Sequence, residues 1–300
     1  MRVALVSEHA SPLAVDLGTA DAGGQNVYVD ALARHLARAG AAVDVYTRRD
    51  DPDQADVVEP APGVRVHHVT AGPPEPIPKD DLFELMGEWS AGLAAAWWRC
   101  PPDVVHAHFW MSGWAADRAR ADFDVPLVQT FHALGAVKQR HQGAADTSPL
   151  MRQDVERELL GRADAVVATC RDEVDELRRW DGRTDHVTVV PCGVGDRFRP
   201  GVTPPRSTLR ITALGRMVER KGVVDVIRAM TRLSSNAELV IAGGPPADQL
   251  EADAEVARLR AVAGHLGVAD RCRFVGRVDR GEAADLLRAS DVVACVPWYE

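Results

Sequence analysis

The sequence predicts an α/β protein built from two successive doubly wound parallel-sheet domains. Three observations carry that reading. Three hundred residues is long for one domain and comfortable for two, at roughly 150 residues each. Short, continuously apolar runs alternate with helical spacings from end to end, as strands buried on both faces of a parallel sheet do. The alternation breaks once, at the Pro- and Gly-rich stretch FRPGVTPPRS from Phe198 to Ser207, and then restarts. The predicted domains are therefore residues 1–200 and 201–300.

The elements follow in order. Arg2 to Ser7 is an apolar run that stops at polar residues, a first strand. A glycine-containing loop (Gly18 to Asn26) leads into NVYVDALARHLARAG, where Val27, Leu32, Leu36 and Ala39 recur at helical spacing and Gly40 ends the helix. AVDVYT (Ala42 to Thr47) completes a βαβ unit. VRVHHV (Val64 to Val69) reads as a strand, then a Pro-rich loop (Gly72 to Asp81) and an amphipathic helix through Trp98. DVVHAH, PLVQTFH, DAVVATC and HVTVVPCGV supply four further strands of the first domain. In the second, LRITALGR, AELVIAGG, RCRFVG and DVVACVP read as strands, with helices at Val223 to Leu233, Asp248 to Leu266 and GEAADLLRAS. A doubly wound domain does not normally end on a strand, so the second is expected to be incomplete at residue 300. Ligands of such folds bind at the carboxyl ends of the strands.

The composition is that of a globular chain, 46% hydrophobic and 26% charged. A net charge of −9, from 35 basic and 44 acidic residues, argues against a general nucleic-acid binder. The five cysteines are odd in number and never in C-x-x-C spacing, which argues against a disulfide framework or a thiolate zinc site. The apolar start is too short for a signal peptide, and no run approaches a membrane span. The expectation is a cytoplasmic protein without an integral membrane segment.

Four places could carry chemistry. Gly23-Gly24 precede a helix start, where free N–H groups can meet a phosphate; a turn needing positive φ is the equal alternative. The loop is not G-x-G-x-x-G, so the dinucleotide fingerprint is missing. Gly215-Arg216-x4-Lys221-Gly222 sits at a strand end before a helix. Arg216 can fork two phosphate oxygens and Lys221 can add a point charge, or the stretch is a solvated cluster with Glu219 and Arg220. His9, His106, His108 and His132 stand at strand ends. The i, i+2 pair His106 and His108 faces one way without a third metal ligand nearby in sequence, so hydrogen bonding to a sugar or phosphate is favoured over metal, with a structural role open for His106. Glu300 follows the last strand, where ligands bind, though a lone acidic loop residue is commonly nothing more.

Taken together and in this order, AGGQNVYV, HAHFWMSG, TFHALGAVK, ATCRDEVDEL, VVPCGV, GRMVERKG, IAGGP and VPWYE resemble the retaining glycosyltransferases of family 4, in particular the sucrose-phosphate-synthase-like and mycothiol-glycosyltransferase-like group. The resemblance covers almost the whole chain. It implies a GT-B fold, two Rossmann-like domains facing across a cleft, with an acceptor-side domain (1–200) and a donor-nucleotide domain (201–300). It implies an enzyme that moves a sugar from a nucleoside-diphosphate sugar to a hydroxyl acceptor with retention of anomeric configuration. No cofactor or metal is implied; the substrate is a nucleotide sugar, with UDP-sugars the commonest donors of the family. Gly23 and Gly24 would approach the donor diphosphate, Arg216 and Lys221 would bind it, and His132 and Glu300 would stand at the transferred sugar as catalytic residues. Asn26, His108 and Lys138 would lie on the acceptor side. The second glutamate of the family's E-x7-E pair would fall after residue 300. Where the inositol-phosphate-using branch is expected to carry polar residues, this chain has Phe109 and Ala133, which counts against a phosphorylated inositol acceptor. The acceptor hydroxyl would attack on the face the diphosphate leaves, a phosphate oxygen helping to take its proton. The competing readings are a GT-B epimerase relative, a phosphorylase needing a pyridoxal-phosphate lysine, and a non-catalytic nucleotide-sugar or carbohydrate-binding module.

Overall fold

A computed structural model of the chain describes residues 1–13, 23–180, 183–202 and 206–299. They form two compact units, one of residues 1–13, 23–180 and 183–192, the other of residues 193–202 and 206–299. Gly193 thus belongs with the second unit, ahead of the break read from the sequence at residue 200.

The first unit runs β1 (Arg2–Val6), α1 (Gly24–Arg38), β2 (Ala42–Arg48), β3 (Val57–Ala61), β4 (Val64–Val69), α2 (Met86–Arg99), β5 (Val104–His108), α3 (Trp110–Ala119), β6 (Leu127–Thr130), α4 (Gly135–Gln142), α5 (Arg152–Arg162), β7 (Ala165–Ala168), α6 (Arg171–Arg178) and β8 (Val187–Val189). Its sheet has the order β3-β4-β2-β1-β5-β6-β7-β8. Every pairing is parallel except β3 with β4. β3 escapes the sequence reading because VVEPA carries a proline, which a strand tolerates only where its missing N–H is not needed, as at the sheet's edge.

The two-faced burial that makes β1 continuously apolar is visible residue by residue. Val3 and Leu5 pack with Val29 and Ala33 of α1 and with Val43, Val45, Val64 and Val66. Ala4 and Val6 turn to the other face and join Trp89, Leu93 and Trp97 of α2 and Met111 and Ala115 of α3. Period-two alternation therefore feeds two cores, and no position along the strand can be polar without a partner.

One buried charge meets that condition. Asp44, in the middle of β2, accepts hydrogen bonds from Arg2 at 2.7 Å and His67 at 2.7 Å and pairs with Arg65 at 2.7 Å. Burial alone would raise its pKa, but the bonds from His67, Arg65 and Arg2 outweigh it and hold the carboxyl at about 2. A depressed carboxylate stabilises the fold above its unfolded pKa of about 4, and that contribution, about 2 kcal/mol, is lost as pH falls through about 2. Urea unfolding followed between pH 4 and pH 2 should show this loss in the parent and a flatter profile in Asp44→Asn. Equal slopes would mean that the carboxylate contributes nothing.

The second unit runs β9 (Leu209–Leu214), α7 (Val223–Ala229), β10 (Ala237–Ala242), α8 (Ala254–His265), β11 (Cys272–Gly276), α9 (Arg280–Arg288) and β12 (Val292–Val293), with parallel order β11-β10-β9-β12. Ile211, Leu239 and Ile241 of the strands pack against Val224, Ile227 and Leu259 of the helices. The long helix expected from Asp248 starts only at Ala254. Asp253 caps it, its side chain accepting the Val256 N–H at 2.8 Å, and an aspartate in that role ends the preceding turn rather than continuing a helix through it. Asp279 caps α9 in a reciprocal box with Glu282. Among the described residues, no helix is long and apolar enough to cross a membrane.

Candidate functional site

In the first unit the polar side chains gather at the carboxyl ends of β1, β5 and β6, neighbours in the sheet. His106 and His108 lie on one face of β5 with ring centroids 4.2 Å apart. His108 Nδ1 is 3.1 Å from Nε2 of His132, and His106 Nε2 is 2.8 Å from Thr130 Oγ1. Tyr28 of α1 stands edge-on to both His108 and His132, with centroids 5.7 and 5.1 Å away. The third imidazole that sequence spacing did not supply is thus delivered by the adjacent strand. The rings pack tilted against one another, with His108 and His132 hydrogen-bonded, and among the described residues no group of three or more His, Cys, Asp or Glu is placed to hold a metal ion.

Two residues at these strand ends adopt left-handed backbone without being glycine: Phe109 at φ 80° and His132 at φ 62°. Such conformations cost about 1–3 kcal/mol each and persist where their surroundings hold them. Phe109 is held by its N–H to Thr130 O at 2.8 Å and its carbonyl to Gln129 Nε2 at 3.1 Å. Gln129, polar in the middle of an apolar strand, is the one sequence signal that could have located this brace.

Burial pushes the histidines down: His132 to about 3, His106 to about 4 and His108 well below the ordinary imidazole value, the neighbouring imidazoles adding to the effect for His108 and His132. All three are therefore neutral at pH 7 and act as single donors and acceptors, so the cluster supplies no cation to a phosphate. At the end of β1, buried Glu8 accepts from the Ser112 hydroxyl and, at 2.6 Å, faces Nδ1 of His9, whose ring meets Phe109 edge-on at 5.0 Å.

The remaining candidates of this unit occupy different roles. Gly23 has φ −160° as the residue before α1, and neither Gly23 nor Gly24 has positive φ. Among the described residues, a Cβ added to either would meet nothing within 4 Å, so a turn needing positive φ does not account for these two glycines. Asn26 is buried, its Oδ1 accepting the Gly23 N–H at 3.0 Å and its Nδ2 donating to Ser11 O at 3.0 Å. It braces the start of α1 with both ends of its amide. His108 is fully buried beneath His132. Lys138 on α4 reaches Asp146 at 3.0 Å and Ser148 at 2.9 Å. Sequence reading passed over Arg152 and Glu156, because an i, i+4 Arg–Glu pair usually marks a solvated helix face. Here the pair is buried: Arg152 Nε donates to Glu156 at 2.7 Å, its Nη2 to Ala133 O at 2.8 Å, and its guanidinium lies 5.0 Å over the Phe109 ring. Lys79 stands 5.6 Å from the same ring.

In the second unit the chain leaves β9 at Leu214 and passes through Gly215 and Arg216 to Lys221. The glycines here are compelled. Gly243 has φ 115°, and a Cβ on it would lie 1.9 Å from Gly215 O; Gly222 has φ 69°, and its Cβ would lie 2.1 Å from Val296 O. The ends of β9, β10 and β12 thus meet backbone on backbone, and the loop carrying Arg216 and Lys221 is clamped between them. Both cations are half-buried. The Trp298 N–H donates to Arg220 O at 2.8 Å, its indole N–H to Asp225 at 2.9 Å, and Arg220 lies 5.6 Å over the Tyr299 ring, tying the segment after β12 to the same loop. Glu300 lies outside the described residues.

A parallel two-unit α/β chain with polar strand ends in one unit and a clamped Arg/Lys loop in the other has the parts of a GT-B sugar transferase, and the comparisons bear on that class directly. Residues 23–193 match the Glycosyl transferase 4-like domain and residues 196–300 the Glycosyl transferases group 1 domain. The D-inositol 3-phosphate glycosyltransferase of Corynebacterium diphtheriae is 35% identical over 100% of this chain and 74% of its own length. Among solved structures, sucrose-phosphate synthase from Thermosynechococcus elongatus superposes with a TM-score of 0.88 at 31% identity, covering 100% of this chain and 76% of that one. Anabaena HepE in complex with UDP, at TM-score 0.70 and 16% identity over 99% of this chain and 74% of that one, shows the shared fold alone. The chain belongs to the retaining family 4 glycosyltransferases of the GT-B fold. It is an enzyme that transfers a sugar from a nucleotide-sugar donor to an acceptor, and the binding-module and epimerase readings give way to that.

Proposed function

We propose that the donor is a UDP-sugar, that the second unit binds its diphosphate through Arg216 and Lys221, and that transfer to a hydroxyl acceptor on the first unit needs no divalent metal. The observation that carries this reading is the clamped loop: two fixed cations on a backbone that Gly243 and Gly222 allow to approach its neighbours closely. Preorganised positive charge of this kind stabilises a departing diphosphate as a metal ion would. Gly23 and Gly24 support donor or acceptor approach at the start of α1, since neither φ nor packing among the described residues requires glycine there. His132 is assigned to the transferred sugar, and Glu300 to the same sugar by its place after the segment tied to the Arg216–Lys221 loop. Residues 1–200 would serve as the acceptor-side domain and 201–300 as part of the donor domain. Five unpaired cysteines, three of them exposed, support a reducing, cytoplasmic setting.

Our reading is that the acceptor lies outside the inositol phosphates, unlike the one that the relatives' names give. Phe109 and Ala133 offer no hydroxyl, and Arg152 is committed to Glu156 and to Ala133 O. The test is nucleoside-diphosphate release by the protein at its full natural length from UDP-, GDP- and ADP-glucose, with and without EDTA, with D-inositol 3-phosphate among the acceptors. UDP release that EDTA leaves unchanged, with inositol phosphate a poor acceptor, is expected. A GDP or ADP preference, EDTA sensitivity, or efficient use of inositol phosphate would each overturn its part of the proposal.

A further inference from the structure

One polar atom of the His106–His108–His132 cluster is orphaned among the described residues. His108 is fully buried, and its Nε2 has no hydrogen-bond partner among the described residues. Its Nδ1 faces Nε2 of His132 at 3.1 Å. A neutral imidazole carries one N–H, so a single hydrogen occupies that contact, and two arrangements of the pair are possible. If His132 Nε2 carried it, the N–H of His108 would sit on Nε2, a buried donor with nothing to receive it, and His132 Nδ1 would be a bare acceptor. If His108 Nδ1 carries it, the orphaned His108 Nε2 is a bare lone pair, and the hydrogen of His132 is forced onto Nδ1. Buried orphan N–H groups are rarer than under-satisfied acceptors. The second arrangement therefore has the lower cost.

We propose that His108 is a positioning residue that locks His132 as the Nδ1–H tautomer, so that the ring at the end of β6 presents a neutral hydrogen-bond donor to the oxygen of a sugar hydroxyl. The surroundings leave the rings little freedom to exchange roles. Tyr28 meets both His108 and His132 edge-on, the His106 ring lies against His108 at 4.2 Å, tilted by 37°, with its own Nε2 engaged by Thr130, and the His132 backbone is fixed at φ 62°. The groups able to influence the pair's titration are His106 on β5, His9 at the end of β1 and Tyr28 on α1, and burial keeps His106 uncharged together with the pair. A locked donor discriminates by hydrogen bonding: it favours a donor sugar bearing an oxygen at the contacted position over the corresponding deoxy analogue.

This inference rests on the assignment of His132 to the transferred sugar, and its test separates the two. Long-range nitrogen–proton correlation spectra of histidine-labelled protein report each ring's tautomer without any turnover. His132 and His108 should both show the Nδ1–H pattern, unchanged from pH 8 to pH 5. An Nε2–H pattern for His132, or its protonation above pH 5, overturns the lock whatever the enzyme's activity. Kinetics then tests its use. His108→Asn places an amide N–H near the Nδ1 position and should hold kcat within about threefold. His108→Leu removes the donor and should lower kcat about tenfold with donor KM little changed, the fold-change of one neutral hydrogen bond. Equal losses in the two variants overturn the positioning role. An intact Nδ1–H pattern in an enzyme whose His132→Ala variant turns over at full rate would instead sink the assignment of His132 to the sugar.

Discussion

Replacing Arg216 by alanine is expected to lower kcat about 10²- to 10³-fold, the scale for removing one preorganised donor from developing charge. Backbone contacts hold the loop that carries it in shape. Its course is set by the Gly215 N–H to Ala242 O bond at 3.0 Å, the Val218 N–H to Arg216 O bond at 3.0 Å and the glycine approaches at 222 and 243. The variant should therefore melt with the parent, and loss of rate without loss of fold is the outcome that assigns the residue to catalysis. Arg216→Lys keeps the charge but loses the planar fork, so it should recover only part of the rate. Steady-state kinetics with the preferred nucleotide sugar checks both. Full activity in Arg216→Ala removes the diphosphate from this loop.

The second large effect is structural and falls on a residue without a side chain. Gly243→Ala would place a methyl group 1.9 Å from Gly215 O in a backbone held at φ 115°. A left-handed conformation costs an alanine about 1–2 kcal/mol, and the clash adds overpacking of similar or greater size. A loss of more than about 3 kcal/mol is expected, in the transition of the second unit, with loss of nucleotide binding. Gly23→Ala is the contrasting case. Among the described residues its added methyl meets nothing within 4 Å, and it needs no positive φ, so stability should hold within about 0.5 kcal/mol while activity falls if a ligand approaches there. Urea unfolding of the two variants side by side decides both.

The fold was legible because its strands are buried on both faces. β1 reads as an apolar run after Arg2, and β5, β9 and β10 as mainly apolar runs broken by His106, Thr212 and Glu238; the two sheets reproduce each of them. What escaped was whatever depends on a partner distant in sequence. β3 exists by pairing with β4 despite Pro60, and α8 starts at Ala254 because Asp253 turns its side chain to the Val256 N–H. The site shows the same division. Arg216 and Lys221 stand out as charges at an apolar strand's end, and the HAH and TFH segments stand out as histidines in strands. That His108 lies under His132 is a matter of β5 and β6 being neighbours in register, His108 opposite Thr130, which local spacing does not encode. Arg152 and Glu156 look like an exposed helical pair and are buried, because the chain folds Ala133 and Gly135 over them.

The measurement that bears most directly on the account is a calorimetric titration of UDP into the full-length protein in EDTA, repeated with Arg216→Ala. Saturable binding at one site per chain, needing no metal and weakened at least tenfold in the variant, is expected. Absence of binding to the folded parent, or binding that Arg216→Ala leaves unchanged, would contradict it.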